Sequence, residues 1–279
     1  MSVNEATAPR TDDAAQSAIH LRPYQLLCLV CSLGGDEDLP CAGKVAETLA
    51  AVGEHPDRPV CLRCNAGCVY AYQDPGPGED TPEGADFNRK RDLDILCRLD
   101  LAPGSVLPAR ALLLTALKAI PTVAGICGYD EVTAEEWRGC PRAGSGCYER
   151  GRERGIGAII SPRTREEMDR EKERSLAALA TGRGISVRPH ILLCAVCQYG
   201  AGIRPPLKED NLPEFLERVL TMQPDLPVTF ARGADWDMCA PCPQRVPELN
   251  ACANVLGSGG LSNEKRDLDM LRILGLRFG

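Results

Sequence analysis

Fifteen cysteines dominate the chemistry available to this 279-residue chain, and their spacing is ordered. In the second half, Cys194 and Cys197 sit in "RPHILLCAVCQYG", followed by Cys239, Cys242 and Cys252 in "DMCAPCPQRVPELNAC". In the first half, Cys28 and Cys31 sit in "RPYQLLCLVCSLG", followed by Cys61, Cys64 and Cys68 in "CLRCNAGC". Each half thus carries an early pair and a late triplet. Between the halves lie Cys127, Cys140 and Cys147, while Cys41 and Cys97 stand apart. A Cys-x-x-Cys loop lets two thiolates grip one metal centre, and thiolates from elsewhere complete four ligands. Zinc and a 4Fe-4S cluster both accept four thiolates. With only His20, His55 and His190 in the chain, any such site is mostly thiolate.

Three features favour iron–sulfur over zinc. The early pairs lie in apolar runs, "QLLCLV" and "ILLCAV", and an excluded, low-dielectric shell suits a cluster. Cys-Pro occurs at Cys140-Pro141 and Cys242-Pro243, as at one end of the bacterial ferredoxin run. The late loops carry three thiols, whereas structural zinc sites more often use two Cys-x-x-Cys knuckles. Zinc in a structural or interaction module remains the alternative, with free thiols third. The central triplet is expected to hold a third centre if Cys97 or Cys41 joins it. Without a fourth thiol, one iron would be open to substrate, and the chain could be a redox enzyme or lyase. Lone cysteines such as Cys41 and Cys97 otherwise read as small buried hydrophobes.

The formal net charge of −7 and the 4% aromatic content argue against nucleic acid and anionic membranes as partners. No run is long and apolar enough to cross a bilayer, and no secretory leader is seen. A cytoplasmic, reducing location follows, where disulfides are rare. Neither a Ser-His-Asp set nor an isolated carboxylate pair emerges. The stretch "GCYERGRERGIG" lacks phosphate-loop spacing and reads as a turn-rich linker.

The elements that must position the thiols repeat. Residues 22–34 match 188–200, "HPDRPV" at 55–60 matches "QPDLPV" at 223–228, and "NRKRDLDIL" at 88–96 matches "NEKRDLDML" at 263–271. Three landmarks in one order indicate a tandem duplication. In each copy a helix begins at Arg-Pro and ends at glycine, so that Cys28 and Cys31, or Cys194 and Cys197, share a face. A second helix, a short strand after a Pro-Asp turn and a closing helix through "KRDLD" follow. Asn88 and Asn263 (or Ser262) are candidate caps for the closing helices. Asp92 and Asp267 are expected to complement those helices' N-termini, with Leu93 and Leu268 facing the core. "LPARALLLTALKAI" and "SPRTREEMDREKERSLAALA", with Pro162 near its start, are expected helices of the intervening segment. His190 is expected to pack or cap, since Tyr24 holds its place in the first copy. Trp137 and Trp236 are candidates to shield a cofactor or to pack a core.

The second copy resembles a family of small uncharacterised proteins presumed to bind iron–sulfur. The motifs are "RPHILLC" at 188–194, "DMCAPCP" at 237–243, Cys252 and "RDLDMLRILGL" at 266–276. That resemblance implies Cys194, Cys239, Cys242 and Cys252 as cluster ligands, and by transfer Cys28, Cys61, Cys64 and Cys68. It leaves the roles of Cys31 and Cys197 open, and it implies no particular reaction. The expectation is an α+β protein with two related small cysteine-rich modules arranged with pseudo-twofold symmetry around a central helical, cysteine-containing insert. A disordered tail covers 1–20, the first module 21–104, the insert 105–186 and the second module 187–279. Two or three 4Fe-4S clusters would serve electron transfer or cluster chemistry, with a redox partner protein or a small-molecule substrate.

Overall fold

A computed structural model describes residues 18–35, 41–202, 209–253 and 260–279. It is mixed helix and small sheets, in keeping with α+β. The chain forms two compact units, Met1–Ser161 and Pro162–Gly279. Of the segment 105–186, residues 105–161 belong to the first unit and 162–186 to the second. The expected tail at 1–20 falls mostly outside the described residues, but residues 19–20 already lie in a strand.

In the first unit, strand β1 (Ile19–Leu21) leads directly into helix α1 (Pro23–Leu33). Pro23 starts the helix without losing a hydrogen bond, and the Arg22 backbone N–H donates to Gln25 Oε1 at 2.8 Å. Helix α2 (Ala42–Glu54) follows, then strand β2 (Pro59–Leu62), helix α3 (Ala85–Leu99), strand β3 (Val106–Pro108) and helix α4 (Ala109–Ala119). Strand β1 pairs parallel with β2 (Ile19↔Val60), and β2 pairs antiparallel with β3 (Val60↔Leu107). The leucine-rich phrase of α1 is buried on nearly all sides: Leu26, Leu27, Leu29 and Val30 pack with Leu62, Ile95, Leu112 and Ile126.

The stretch read as a turn-rich linker is instead helix α5 (Cys147–Arg154), and it packs closely on α1. A Cβ on Gly34 would stand 1.8 Å from the Cys147 carbonyl oxygen, and one on Gly151 1.9 Å from that of Val30. Gly151, in the stretch read as a linker, is what lets the two backbones meet. The Tyr148 hydroxyl donates to the Ile120 carbonyl at 2.8 Å, and Arg150 Nε to that of Gly34 at 3.0 Å.

The second unit opens with helix α6 (Arg165–Thr181), capped by Thr164, whose hydroxyl accepts from the Glu167 N–H. Pro162 thus precedes the cap. Strand β4 (Ile185–Val187), helix α7 (Pro189–Gly200), the short helix α8 (Leu212–Leu216) and strand β5 (Val228–Phe230) follow. Then come helix α9 (Trp236–Cys239), the hairpin β6 (Arg245–Val246) and β7 (Ala251–Cys252), and helix α10 (Gly260–Leu274). Strand β4 pairs parallel with β5 (Ile185↔Val228). A small core gathers Leu179, Val187, Ala195, Phe215, Leu216 and Met238.

Each unit repeats one local arrangement. A parallel strand launches a helix through Arg-Pro, and an aspartate of the closing helix ties that junction. Asp92 accepts from Arg22 Nε (2.8 Å) and the Tyr24 N–H (2.9 Å); Asp267 accepts from Arg188 Nε (2.9 Å) and the His190 N–H (2.9 Å). These aspartates serve the N-termini of α1 and α7, not those of their own helices. Asn88 and Asn263 lie inside α3 and α10, not at their caps; Asn88 Nδ2 donates back to the Gly84 carbonyl at 2.7 Å. Leu93 packs against the core, but Leu268 is 51% exposed. His190 is buried, its Nδ1 lying 2.6 Å from Asp267 Oδ1, in keeping with a packing and capping role. Among the described residues no helix is long and apolar enough to cross a membrane.

Candidate metal centre

Helix α1 presents Cys28 and Cys31 on one face, one turn apart. Facing them is the loop after α4, where the Cys140 N–H donates to the Cys127 carbonyl at 2.7 Å. That clasp requires glycine beside it: Gly139 has φ +82°, and a Cβ there would lie 2.7 Å from the same carbonyl oxygen. A small cavity of about 20 Å³, room for about one water, is lined by Cys28, Cys31, Cys127 and Cys140 with Arg91, Arg142 and apolar neighbours. Two further thiols attach to this group. Cys41, at the start of α2, is hydrogen-bonded to Cys28, and Cys147, at the start of α5, to Cys31. Six thiols from four stretches of chain are thus gathered in one unit.

Their electrostatics follow from burial and from one another. The hydrogen bond with Cys41, together with burial, pushes the Cys28 thiol well up, while that same bond holds Cys41 below the usual thiol range. Burial pushes Cys127 up to about 12, against the Arg91 guanidinium, which also hydrogen-bonds its sulfur. Burial and then the nearby Cys147 raise Cys31. Without a cation the raised thiols Cys28, Cys31 and Cys127 hold their protons, and binding a metal would release them.

Of the two arginines that line this cavity, Arg91 is the buried one. It projects from α3 and is 2% exposed, with its guanidinium 3.7 Å from the Tyr24 ring centroid and 5.0 Å from that of Phe87. Nη2 donates to Asn88 Oδ1 and Thr81 Oγ1, while Nε is buried without a hydrogen-bond partner. Among the described residues no carboxylate lies within ion-pair distance of Arg91, in contrast to the buried Arg22–Asp92 pair.

Of the expected first-copy set, Cys28 lines the cavity, whereas Cys61 and Cys64 are not among its lining residues. Cys61 lies on β2 with its sulfur 3.9 Å from the Gly104 carbonyl oxygen. Cys64 is buried near Asp92, Arg22 and Arg89, and burial raises its thiol to about 12. The side chain of Cys68 lies outside the described residues. Cys97 is exposed on α3, so it neither joins the central group nor fills a core. Cys41, read as a lone hydrophobe, is part of the thiol group.

In the second unit Cys239 ends α9, the Cys242 N–H donates to the Cys239 carbonyl at 2.9 Å, and Cys252 on β7 sits across from Arg245. Burial, then Asp235, Cys242 and Cys252, push the Cys239 thiol well up, so the three thiols feel one another. Arg163 fastens their loop: Nη1 donates to the Ala240 and Cys242 carbonyls at 2.9 and 2.7 Å, Nε pairs with Glu167, and Nη2 is buried without a partner. Cys194 and Cys197 are exposed on α7 and are not among the groups acting most strongly on Cys239 or Cys242. Trp236 is half-buried and donates its indole N–H to Glu171 at 2.7 Å; Trp137, also half-buried, closes a short turn at Glu135–Trp137.

Zinc would need its sulfurs about 2.3 Å from a common point. Among the described residues, no three His, Cys, Asp or Glu side chains close around one ion in that way. The donor chemistry, the apolar shell and the orphaned Arg91 Nε fit an anionic thiolate complex.

Comparison with known proteins adds nothing to these observations: no family model, no curated protein and no solved structure matches the chain.

Proposed function

We propose that this chain is an iron–sulfur protein, built by duplication of a cysteine-rich module and carrying two or three 4Fe-4S clusters for electron transfer. One observation carries the reading: six thiols, separated by as much as 119 positions in sequence (Cys28 to Cys147), gather in one unit beside a buried guanidinium that has no carboxylate partner among the described residues. The three mutually interacting thiols of the second unit, Cys239, Cys242 and Cys252, support a second centre. The motif resemblance points the same way, and a cytoplasmic, reducing setting keeps such thiols available.

A 4Fe-4S cluster, once bound, supplies one-electron oxidation and reduction. The chain's own residues do the rest. Cysteine thiols lose their protons to bind, Leu27, Val123 and Ala143 exclude water, and Arg91 offsets negative charge. Electrons would pass to a redox partner protein or a small-molecule substrate.

The test is anaerobic purification with iron, acid-labile sulfide and zinc measured per chain, together with a visible spectrum. Iron and sulfide in equal amounts, about four of each per centre, are expected, with absorbance that bleaches on reduction. A colourless chain with stoichiometric zinc and no sulfide overturns the reading.

A further inference from the structure

We propose that Cys28, Cys31, Cys127 and Cys140 ligate the cofactor of the first unit, and that Arg91 is the positioning residue that compensates its charge. This rests on the iron–sulfur reading and assigns a centre that spans the repeat and the segment after it. The four thiols are those that line the cavity together with Arg91. Cys41 and Cys147 stand behind them, each hydrogen-bonded to one of the four.

Four thiolates around a cluster core of charge 2+ leave a net charge of about −2. Such a complex in an apolar pocket needs a cation, and Arg91 is already caged there by Tyr24, Phe87, Asn88 and Thr81. The duplicated copy provides an internal control. Arg266 occupies the place of Arg91 in "KRDLD", His190 that of Tyr24 and Ser262 that of Phe87. There the arginine is exposed, with Asn263 Oδ1 at 3.3 Å, and the equivalent thiols Cys194 and Cys197 are exposed as well. The same arginine is thus buried where the thiols gather and exposed where they do not, so the caged position belongs to the site and not to the repeat.

The full chain carrying Cys127→Ser with Cys140→Ser should lose about four iron and four sulfide relative to wild type, while Cys61→Ser with Cys64→Ser should lose none. The reverse pattern overturns the ligand assignment, whereas a wild-type chain without iron and sulfide overturns the iron–sulfur reading itself. For Arg91, anaerobic redox titration of Arg91→Lys and Arg91→Gln should give midpoints shifted to lower potential, the larger shift for glutamine. Midpoints equal to wild type in both variants refute the role. Should Arg91→Gln fail to fold, Arg91→Lys decides by the same criterion.

Discussion

The closest backbone approach in the first unit provides a sharp test, because the duplicated copy keeps the same residue without the neighbour. Gly34 and Gly200 occupy equivalent places at the ends of α1 and α7. A Cβ on Gly34 would lie 1.8 Å from the Cys147 carbonyl oxygen, whereas one on Gly200 meets nothing within 4 Å. Ordinary contact begins near 3.4 Å, so Gly34→Ala must part α1 from α5 by about 1.5 Å. Backbone cannot rotate away as a side chain can, and the upper part of the overpacking range applies, about 3 kcal/mol. Gly34 has φ −76°, a conformation alanine adopts freely, so the loss comes from the clash alone. Gly200→Ala should be neutral or stabilise by up to about 1 kcal/mol through reduced freedom of the unfolded chain. Hydrogen exchange, read separately for α1 and α7, measures both on the full chain. Parting α1 from α5 also moves Cys147 away from Cys31, so iron retention should fall only in Gly34→Ala. Protection changes for the two variants within about 0.5 kcal/mol of each other would refute the close-packed crossing.

Two further outcomes follow from particular contacts. Burial raises the Asp92 carboxyl to about 6, against the pull of Arg22, whereas Asp267, also desolvated, is held below the usual carboxylate value by hydrogen bonds from His190 and the Arg188 charge. Folded Asp92 binds more protons than unfolded Asp92 between about pH 4 and 6, so its contribution to stability is present below pH 4 and lost as pH rises through 6. Folded Asp267 contributes stability above pH 4 that is lost as pH falls through its lowered value. Carboxyl-carbon NMR titration should place the Asp92 midpoint above that of Asp267, and the opposite order would refute the burial argument. Arg163→Leu removes two charge-assisted bonds to the Ala240 and Cys242 carbonyls at a side chain 10% exposed, and should cost the second unit about 2–4 kcal/mol. Thermal unfolding with exchange read over 239–245 checks it; unchanged protection there contradicts the role given to Arg163.

Much of the architecture was legible because it depends on local chemistry. Arg-Pro before an apolar run and glycine after it marked α1 and α7, and helical spacing then placed Cys28 and Cys31 on one face. Helix α5 was not legible: "CYERGRERG" offers few apolar positions, and its glycine finds a purpose only against the facing backbone of α1. The grouping of the thiols was not legible for a related reason. The motif resemblance, carried over to the first copy, implied Cys61 and Cys64 beside Cys28, but the cavity that Cys28 lines is shared with Cys127 and Cys140 from a later loop, while Cys64 lies near Arg22 and Asp92. Arg91 was visible in the repeated "KRDLD", yet attention falls on its aspartates, and only the Tyr24 and Phe87 rings disclose a caged cation.

The cavity shared by α1 and the Cys127–Cys140 loop also bears on the order of events during synthesis. Cys28 and Cys31 emerge from the ribosome about a hundred residues before the thiols that face them, roughly 5–20 s earlier at ordinary elongation rates. Through that interval the nascent first copy carries a half-built nest, exposed to oxidants and stray ions. On the proposed iron–sulfur reading, cofactor delivery to the first unit would wait for translation to pass Cys140, the last of the four proposed ligands, and a chain stalled before that point would release unprotected thiols instead of a loaded centre.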